Sequence, residues 1–444
     1  MWRRLAGLGW ISLCGAILFF LPAAAIEGQT AGQEPAPQPV AITLEEAIHR
    51  AEANEPNFAA SLADSRTAGI DRSIAWAGML PSVQYHNQAL YTQTDRGQTV
   101  PRFIANNAAR EYSSQAVANE TIGLGQMAGV RRADAAAARA AAELEIARRG
   151  LRAAVVGLFY ELLAAGNKLQ VAERAHQEAA EFTGLTGKRE QAREAAHADV
   201  VKAQLEEQQR QRDLSDAKVA EEKARLELAV LLFADPHTAY VLTAAENVAE
   251  LPSRAEVDQA AGRNNPELKS ALASLSVSNA EVLAARAAYL PDLGLNVTYG
   301  IDAPQFAVNT PDHLRNLGYS ASVTLDIPVW DWLTTQHKVK QSEIRRDAVK
   351  VALSATQRHL IARLDEAYSE AAAAREQLAS LDASVATAAE SLRLTKMRYG
   401  EGEATVLEVV DAQNAFVSAE NAREDGRVRY QGARADLETL TGTI

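Results

Sequence analysis

Residues 43–62, TLEEAIHRAEANEPNFAASL, come back at 254–272 as RAEVDQAAGRNNPELKSAL, with Asn54 facing Asn264 and Pro56 facing Pro266 at an offset of 210. The pairing continues along the chain. Met79-Leu80-Pro81-Ser82-Val83 matches Tyr289-Leu290-Pro291-Asp292-Leu293 at the same offset, and Tyr160 matches Tyr368 at 208. Asp199-Val200-Val201-Lys202-Ala203-Gln204 matches Glu408-Val409-Val410-Asp411-Ala412-Gln413 at 209. A register held over so many anchors, drifting by a residue or two, marks one ancestral unit duplicated with small insertions and deletions in its loops.

Each unit reads in the same order. A helix comes first, over 44–79 and 254–289; the former opens on Thr43 with Glu46 three residues on, a capping box, and Leu-Pro ends both. An alternating stretch follows, Leu293, Leu295, Val297, Tyr299 and Ile301 against Gly294, Asn296, Thr298 and Gly300. Period two with one apolar and one polar face predicts a half-buried strand. Its partner carries Tyr319, Ala321, Val323, Leu325 and Ile327 against Ser320, Ser322, Thr324 and Asp326. The first unit has Val83, Tyr85, Ala89 and Tyr91 on one face and a more polar run at 112–122, and loops at 94–111 and 302–316 join the paired strands. Long helical patterns come next, over 127–183 and 334–397, each followed by a second at 190–233 and 405–440. A helix of roughly 60 residues is about 90 Å long, which calls for coiled-coil packing. The fold class expected is α+β and mostly α: long helical hairpins plus four strands per chain.

Composition agrees with long, closely packed helices. Of the 444 residues 47% are apolar but only 6% aromatic, so alanine carries much of the apolar count. Lys and Arg number 45 against 57 Asp and Glu, a net charge of −12, which argues against a nucleic-acid partner. The one cysteine, Cys14, lies in an N-terminal stretch of Arg3-Arg4, an apolar run from Leu5 to Leu21, then Pro22 and Ala23-Ala24-Ala25. That is the order of a secretory signal peptide, 1–25, read in preference to an uncleaved anchor. Residues 26–41 read as a flexible leader, 42–235 as the first repeat, 236–253 as a linker and 254–444 as the second repeat. The eight histidines are scattered without metal-ligand spacing, and no phosphate loop or hydrolase motif occurs. The expectation is therefore no metal, no cofactor and no enzyme.

Strands of about ten residues with an apolar face suit a transmembrane barrel. An open sheet edge is not tolerated in lipid, and four strands are too few to close alone, so several chains must combine. Two would give eight strands and three would give twelve.

The order of elements and several motifs resemble the TolC family of outer-membrane efflux proteins over about 42–441. The motifs are TLEEAI…NEPNFAAS, YLPDLGL, SVTLDIPVWDW and MRYGEGEATVLEVVDAQNAF. The resemblance implies a homotrimer with a twelve-stranded barrel in outer-membrane lipid, standing on a helical tunnel through the periplasm. It also implies two partners, a periplasmic adaptor (membrane fusion protein) and an inner-membrane pump. Carried over residue by residue, the acidic constriction at the entrance falls on Glu408 and Asp411, whose i, i+3 spacing places both on one helix face. The gate contacts fall on Tyr399 and Asp199, with Ala404 where similar members carry a basic residue. The tips that meet the adaptor include Thr186, Lys188, Gly400, Gly402 and Glu403. Arg193 stands where the second repeat has Gly402, and Gly184 and Gly187 are read as supplying part of the first-tip turn. Trp330 and Trp332 are placed at the membrane interface, with junction packing as the competing reading. The implied function is a passive outer-membrane duct of an efflux or type I secretion system; the alternatives are a periplasmic adaptor and an exported structural coiled coil.

Overall fold

In the computed structural model, residues 39–91, 110–243, 250–310, 313 and 315–442 are described. The expected signal peptide, most of the leader and nearly all of loop 94–111 lie outside them. From Val40 onward the chain forms one unit. It begins with β1 (Val40–Ile42), α1 (Leu44–Asn54), α2 (Pro56–Ala77), β2 (Ser82–Tyr91), β3 (Arg110–Ile122), α3 (Leu124–Gln191), α4 (His197–Leu232) and β4 (Tyr240–Leu242). The order then repeats as α5 (Arg254–Asn264), α6 (Pro266–Ala287), β5 (Asp292–Ala303), β6 (Leu317–Asp326), α7 (Thr334–Gly400) and α8 (Val406–Thr441).

Local chemistry explains the breaks. Pro56 and Pro266 sit in the first turn of α2 and α6, where a missing N–H costs nothing and the fixed φ starts a new helix. Thr43 caps α1 by accepting the Glu46 amide at 3.3 Å, but Glu46 turns to Arg50 at 2.6 Å, so the expected capping box is half made. In α5 it is the other half that is made: Glu256 accepts the Ser253 amide at 2.9 Å and the Ser253 hydroxyl at 2.8 Å. α3 and α7 run for 68 and 67 residues, about 100 Å each.

The strands β2, β3, β5 and β6 form one antiparallel sheet in that order. Register puts Val83, Ala118, Val297 and Ala321 in one row and Tyr85, Ala116, Tyr299 and Tyr319 in the next. The rows between them are polar: Gln84, Val117, Thr298 and Ser320, then Ser82, Asn119, Asn296 and Ser322. One face is thus apolar, and it is uncovered: Val83 is 73% exposed, Tyr319 84% and Val323 69%. The polar face holds itself together sideways, with Thr298 and Ser320 hydroxyls 2.7 Å apart.

The duplication is visible in the packing. Ala47, Ala51, Leu151, Val155 and Leu228 are buried in the first unit, and Val257, Ala261, Leu360, Leu364 and Leu437 are buried at the matching places of the second. The larger core, around Phe159, Leu228 and Tyr240, closes where α1, α3 and α4 meet the short ladder of β1 and β4. Val40–Ile42 pairs in parallel with Tyr240–Leu242, so Val40 and Ala41 belong to a strand, whereas the sequence places them in the leader. Three-residue strands carry no period to read.

Tyr240 is 2% exposed and its hydroxyl donates to the Arg225 carbonyl at 2.7 Å. Burial pushes its phenol up to about 12 from 10.0. Below pH 10 the phenol is neutral in both folded and unfolded chains, and its contribution is fully present. As pH rises toward 12 the unfolded chain ionises first, so that stability is lost. Tyr240→Phe should flatten the alkaline limb of a urea-stability profile measured from pH 8 to 12; an unchanged limb would show that other groups set it.

Candidate functional site

The two helical hairpins end in turns built on one backbone plan. In the first, the amides of Ala192, Arg193 and Glu194 donate to the carbonyls of Lys188, Glu190 and Arg189. In the second, Glu401, Gly402 and Glu403 donate to Met397, Tyr399 and Arg398. The residue at the corner is left-handed in both, Arg193 at φ 64° and Gly402 at φ 80°. Glycine adopts that conformation freely, whereas an arginine pays roughly 1–2 kcal/mol. Gly184 and Gly187 are interior residues of α3 and do not make the turn, so the first tip lies at 192–196, beyond the place read from the sequence. The entry into the next helix differs too. Thr405 accepts the Glu408 amide at 3.3 Å and Glu408 reaches back to the Thr405 amide at 3.4 Å, while Ala196 offers α4 no side-chain cap.

Behind the turns the hairpins are joined by a small core of Phe182, Ala203, Tyr399, Val406, Val409 and Val410. The rings of Phe182 and Tyr399 lie 5.1 Å apart. Arg189 lies over the Tyr399 ring at 4.6 Å and donates to the carbonyls of Tyr399 at 2.7 Å and Gly400 at 2.8 Å. A cation on the last carbonyls of a helix satisfies acceptors that have no partner within it, so α3 caps the end of α7.

These contacts correct one expectation. Thr186 is fully buried; its hydroxyl donates to the Phe182 carbonyl at 2.9 Å and lies 3.3 Å from the Tyr399 hydroxyl. It is interior and unavailable to another protein. Tyr399 is accordingly brought to Thr186 and Arg189, while Asp199 sits half-buried in the first turn of α4. Lys188, Gly400, Gly402 and Glu403 are exposed. Arg189 is the contributor that sequence reading missed, although the offset of 209 pairs it with Arg398, which caps its own tip through the Glu403 carbonyl at 3.0 Å.

Glu408 and Asp411 are both exposed, on the side of α8 away from buried Val406, Val409 and Val410. Their charges are not equally free. Glu408 pairs with Arg398 at 3.4 Å, while Asp411 has no ion-pair partner among the described residues. At the other end of α7, Trp330 is 67% and Trp332 82% exposed, their rings edge to face at 5.8 Å. Trp332 and Leu333 are left-handed in succession, at φ 57° and 65°, and Asp331 accepts the Thr335 amide at 2.7 Å to start the helix. Among the described residues no helix is long and apolar enough to cross a membrane.

Residues 257–443 match the outer membrane efflux protein family. Outer membrane protein OprJ of Pseudomonas aeruginosa is 27% identical over 177 residues, which is 40% of this chain and 36% of that protein. The chain thus spans little more than a third of that relative in the match. Pyoverdine export outer membrane protein OpmQ of Pseudomonas putida is 24% identical over 409 residues, covering 90% of this chain and 84% of the relative. The crystal structure of the Campylobacter jejuni CmeC outer membrane channel superposes with a TM-score of 0.76 at 17% identity, over 90% of this chain and 85% of that one. The second repeat thus matches the outer membrane efflux protein family, and the chain shares the fold of a solved outer membrane channel over nine-tenths of its length.

Proposed function

We propose that the protein is the outer-membrane duct of a tripartite efflux or type I secretion system. Three copies form a barrel in the outer membrane, and the helical hairpins reach into the periplasm toward an adaptor and an inner-membrane pump. Substrate passes through without chemistry. The observation that carries this reading is the four-stranded sheet, apolar and uncovered on one face, with β2 and β6 left as free edges. Unpaired edges cannot sit in lipid, and only further copies bring complementary strands. Trp330 and Trp332, exposed just past β6, suit the level where hydrocarbon meets head groups. The test is light scattering of the full chain in mild detergent. A monodisperse particle with the protein mass of three chains is expected, and a monodisperse monomer would refute the reading.

At the entrance Asp411 and Glu408 are proposed to line the narrowest passage as stacked acidic rings, which favour cations. Because Arg398 already balances Glu408, Asp411→Asn should lower cation over anion selectivity in planar-bilayer recordings more than Glu408→Gln. Glutamine at 408 keeps an acceptor for the helix cap, so assembly should survive. Equal selectivity in the parent and the double variant would place both acids outside the conduction path.

A further inference from the structure

Residues 188–194, KREQARE, and 397–403, MRYGEGE, occupy the same turn of the two hairpins, position for position. Their formal charges are opposite: three cations and two anions in the first, one cation and two anions in the second. The cations that do structural work are paired. Arg189 holds the end of α7 and Arg398 holds Glu408 and the Glu403 carbonyl. Lys188 and Arg193 are different: both are exposed and neither has an ion-pair partner among the described residues. Glu190, the nearest acid in sequence to Lys188 after Arg189, is engaged by His197 at 2.7 Å.

Arg193 is also kept against its own backbone preference. The second repeat shows that glycine makes this turn, and around Gly402 an added Cβ would meet nothing within 4 Å. The cost at this corner is therefore in the dihedral alone, and an arginine there has use for its side chain. The first tip lacks the threonine cap of the second as well, so the chain spends local stability at the tip where its free cations stand.

We propose that the two tips of each chain are unlike docking sites, and that the first, through Arg193 and Lys188, takes a turn bearing Asp or Glu side chains on the periplasmic partner. The second tip, negative on the same backbone, repels such a turn. This rests on the reading that the hairpin ends receive the adaptor.

The test uses the full chain in its own cells, with the photoreactive amino acid p-benzoylphenylalanine at Ala192 or at its counterpart Glu401, and sequencing of the crosslinked peptides. At 192 the adduct is expected to be a periplasmic hairpin turn containing Asp or Glu. Its yield should fall at least fivefold with Arg193→Gly, further with Arg193→Glu, and be kept with Arg193→Lys, while the yield at 401 stays constant. Arg193→Gly relieves the left-handed corner, so a loss there cannot be put down to misfolding. Yields indifferent to residue 193, or an adduct peptide without acidic residues, would overturn the charge assignment and leave docking at the tips intact. Absence of any adduct at both positions would overturn the docking reading and this inference with it.

Discussion

Gly300→Ala should abolish the oligomer expected in mild detergent while the helical hairpins stay folded. Gly300 lies opposite Gln115 in the central β3–β5 pair. A Cβ there would stand 2.2 Å from the Ser114 carbonyl oxygen and 2.6 Å from the Gln115 Cα. Both are backbone atoms, so no side chain can swing away, and the two central strands must part. Overpacking of this kind costs about 1–3 kcal/mol per site, and the proposed assembly of three copies would meet it three times. Gly318 is the matched control, since it shares the row with Gly300 and an added Cβ meets nothing within 4 Å. Unheated gel migration of membrane extracts should show oligomer for Gly318→Ala and monomer for Gly300→Ala, with helical circular dichroism alike in both. Oligomer from both variants would mean that the β3–β5 approach is looser than described.

Tyr399→Ala should open the ends of the hairpins. The ring is 6% exposed, faces Phe182, carries Arg189 on its face and bonds Thr186 at its tip. Truncating a buried aromatic to alanine costs about 3–5 kcal/mol, and here the loss falls on a core of a few residues at a chain end, where local opening is the response. Hydrogen exchange over 180–190 and 396–410 should speed by about a hundredfold or more, at roughly tenfold per 1.4 kcal/mol, while the core around Phe159 keeps its protection. Tyr399→Phe loses only the hydroxyl contact of 3.3 Å, about 0.5–1.5 kcal/mol, and should exchange about tenfold faster at most. Exchange in Tyr399→Ala equal to the parent would show that the hairpins are held together elsewhere.

Much of the architecture could be read from the chain because its signals are periodic or duplicated. Alternation in Leu293–Ile301 requires a two-faced strand, and the structure places these residues in β5, with Val297 and Tyr299 exposed, Leu293 and Leu295 half-buried and Ile301 buried. The tip of the first hairpin was harder. Gly184 and Gly187 look like breakers, yet a helical glycine costs only about 1 kcal/mol relative to alanine, less than the burial of Phe182 and Thr186 on either side returns. The true corner was marked by the repeat, which aligns Arg193 with Gly402, but residue type alone argued against it. Thr186 was misjudged for a related reason: its place near the tip does not say that its side chain turns inward to the Tyr399 phenol. The side chain that faces it from α3, and the guanidinium of Arg189 beside it, are settled by packing between elements far apart in sequence.

The alternation of strand directions across β2, β3, β5 and β6 has a further consequence. Because each chain brings an even set, β6 of one copy runs opposite to β2 of the next whatever the number of copies. A ring of two, three or four chains therefore satisfies the same ladder rule, and parity at the sheet is blind to stoichiometry. Counting must be done by the helices: the angle at which one chain's hairpins meet the next determines when the ring comes round to its start. Substitutions along the exposed faces of α4 and of the half of α7 nearest its tip are where the copy number of the proposed assembly is open to change.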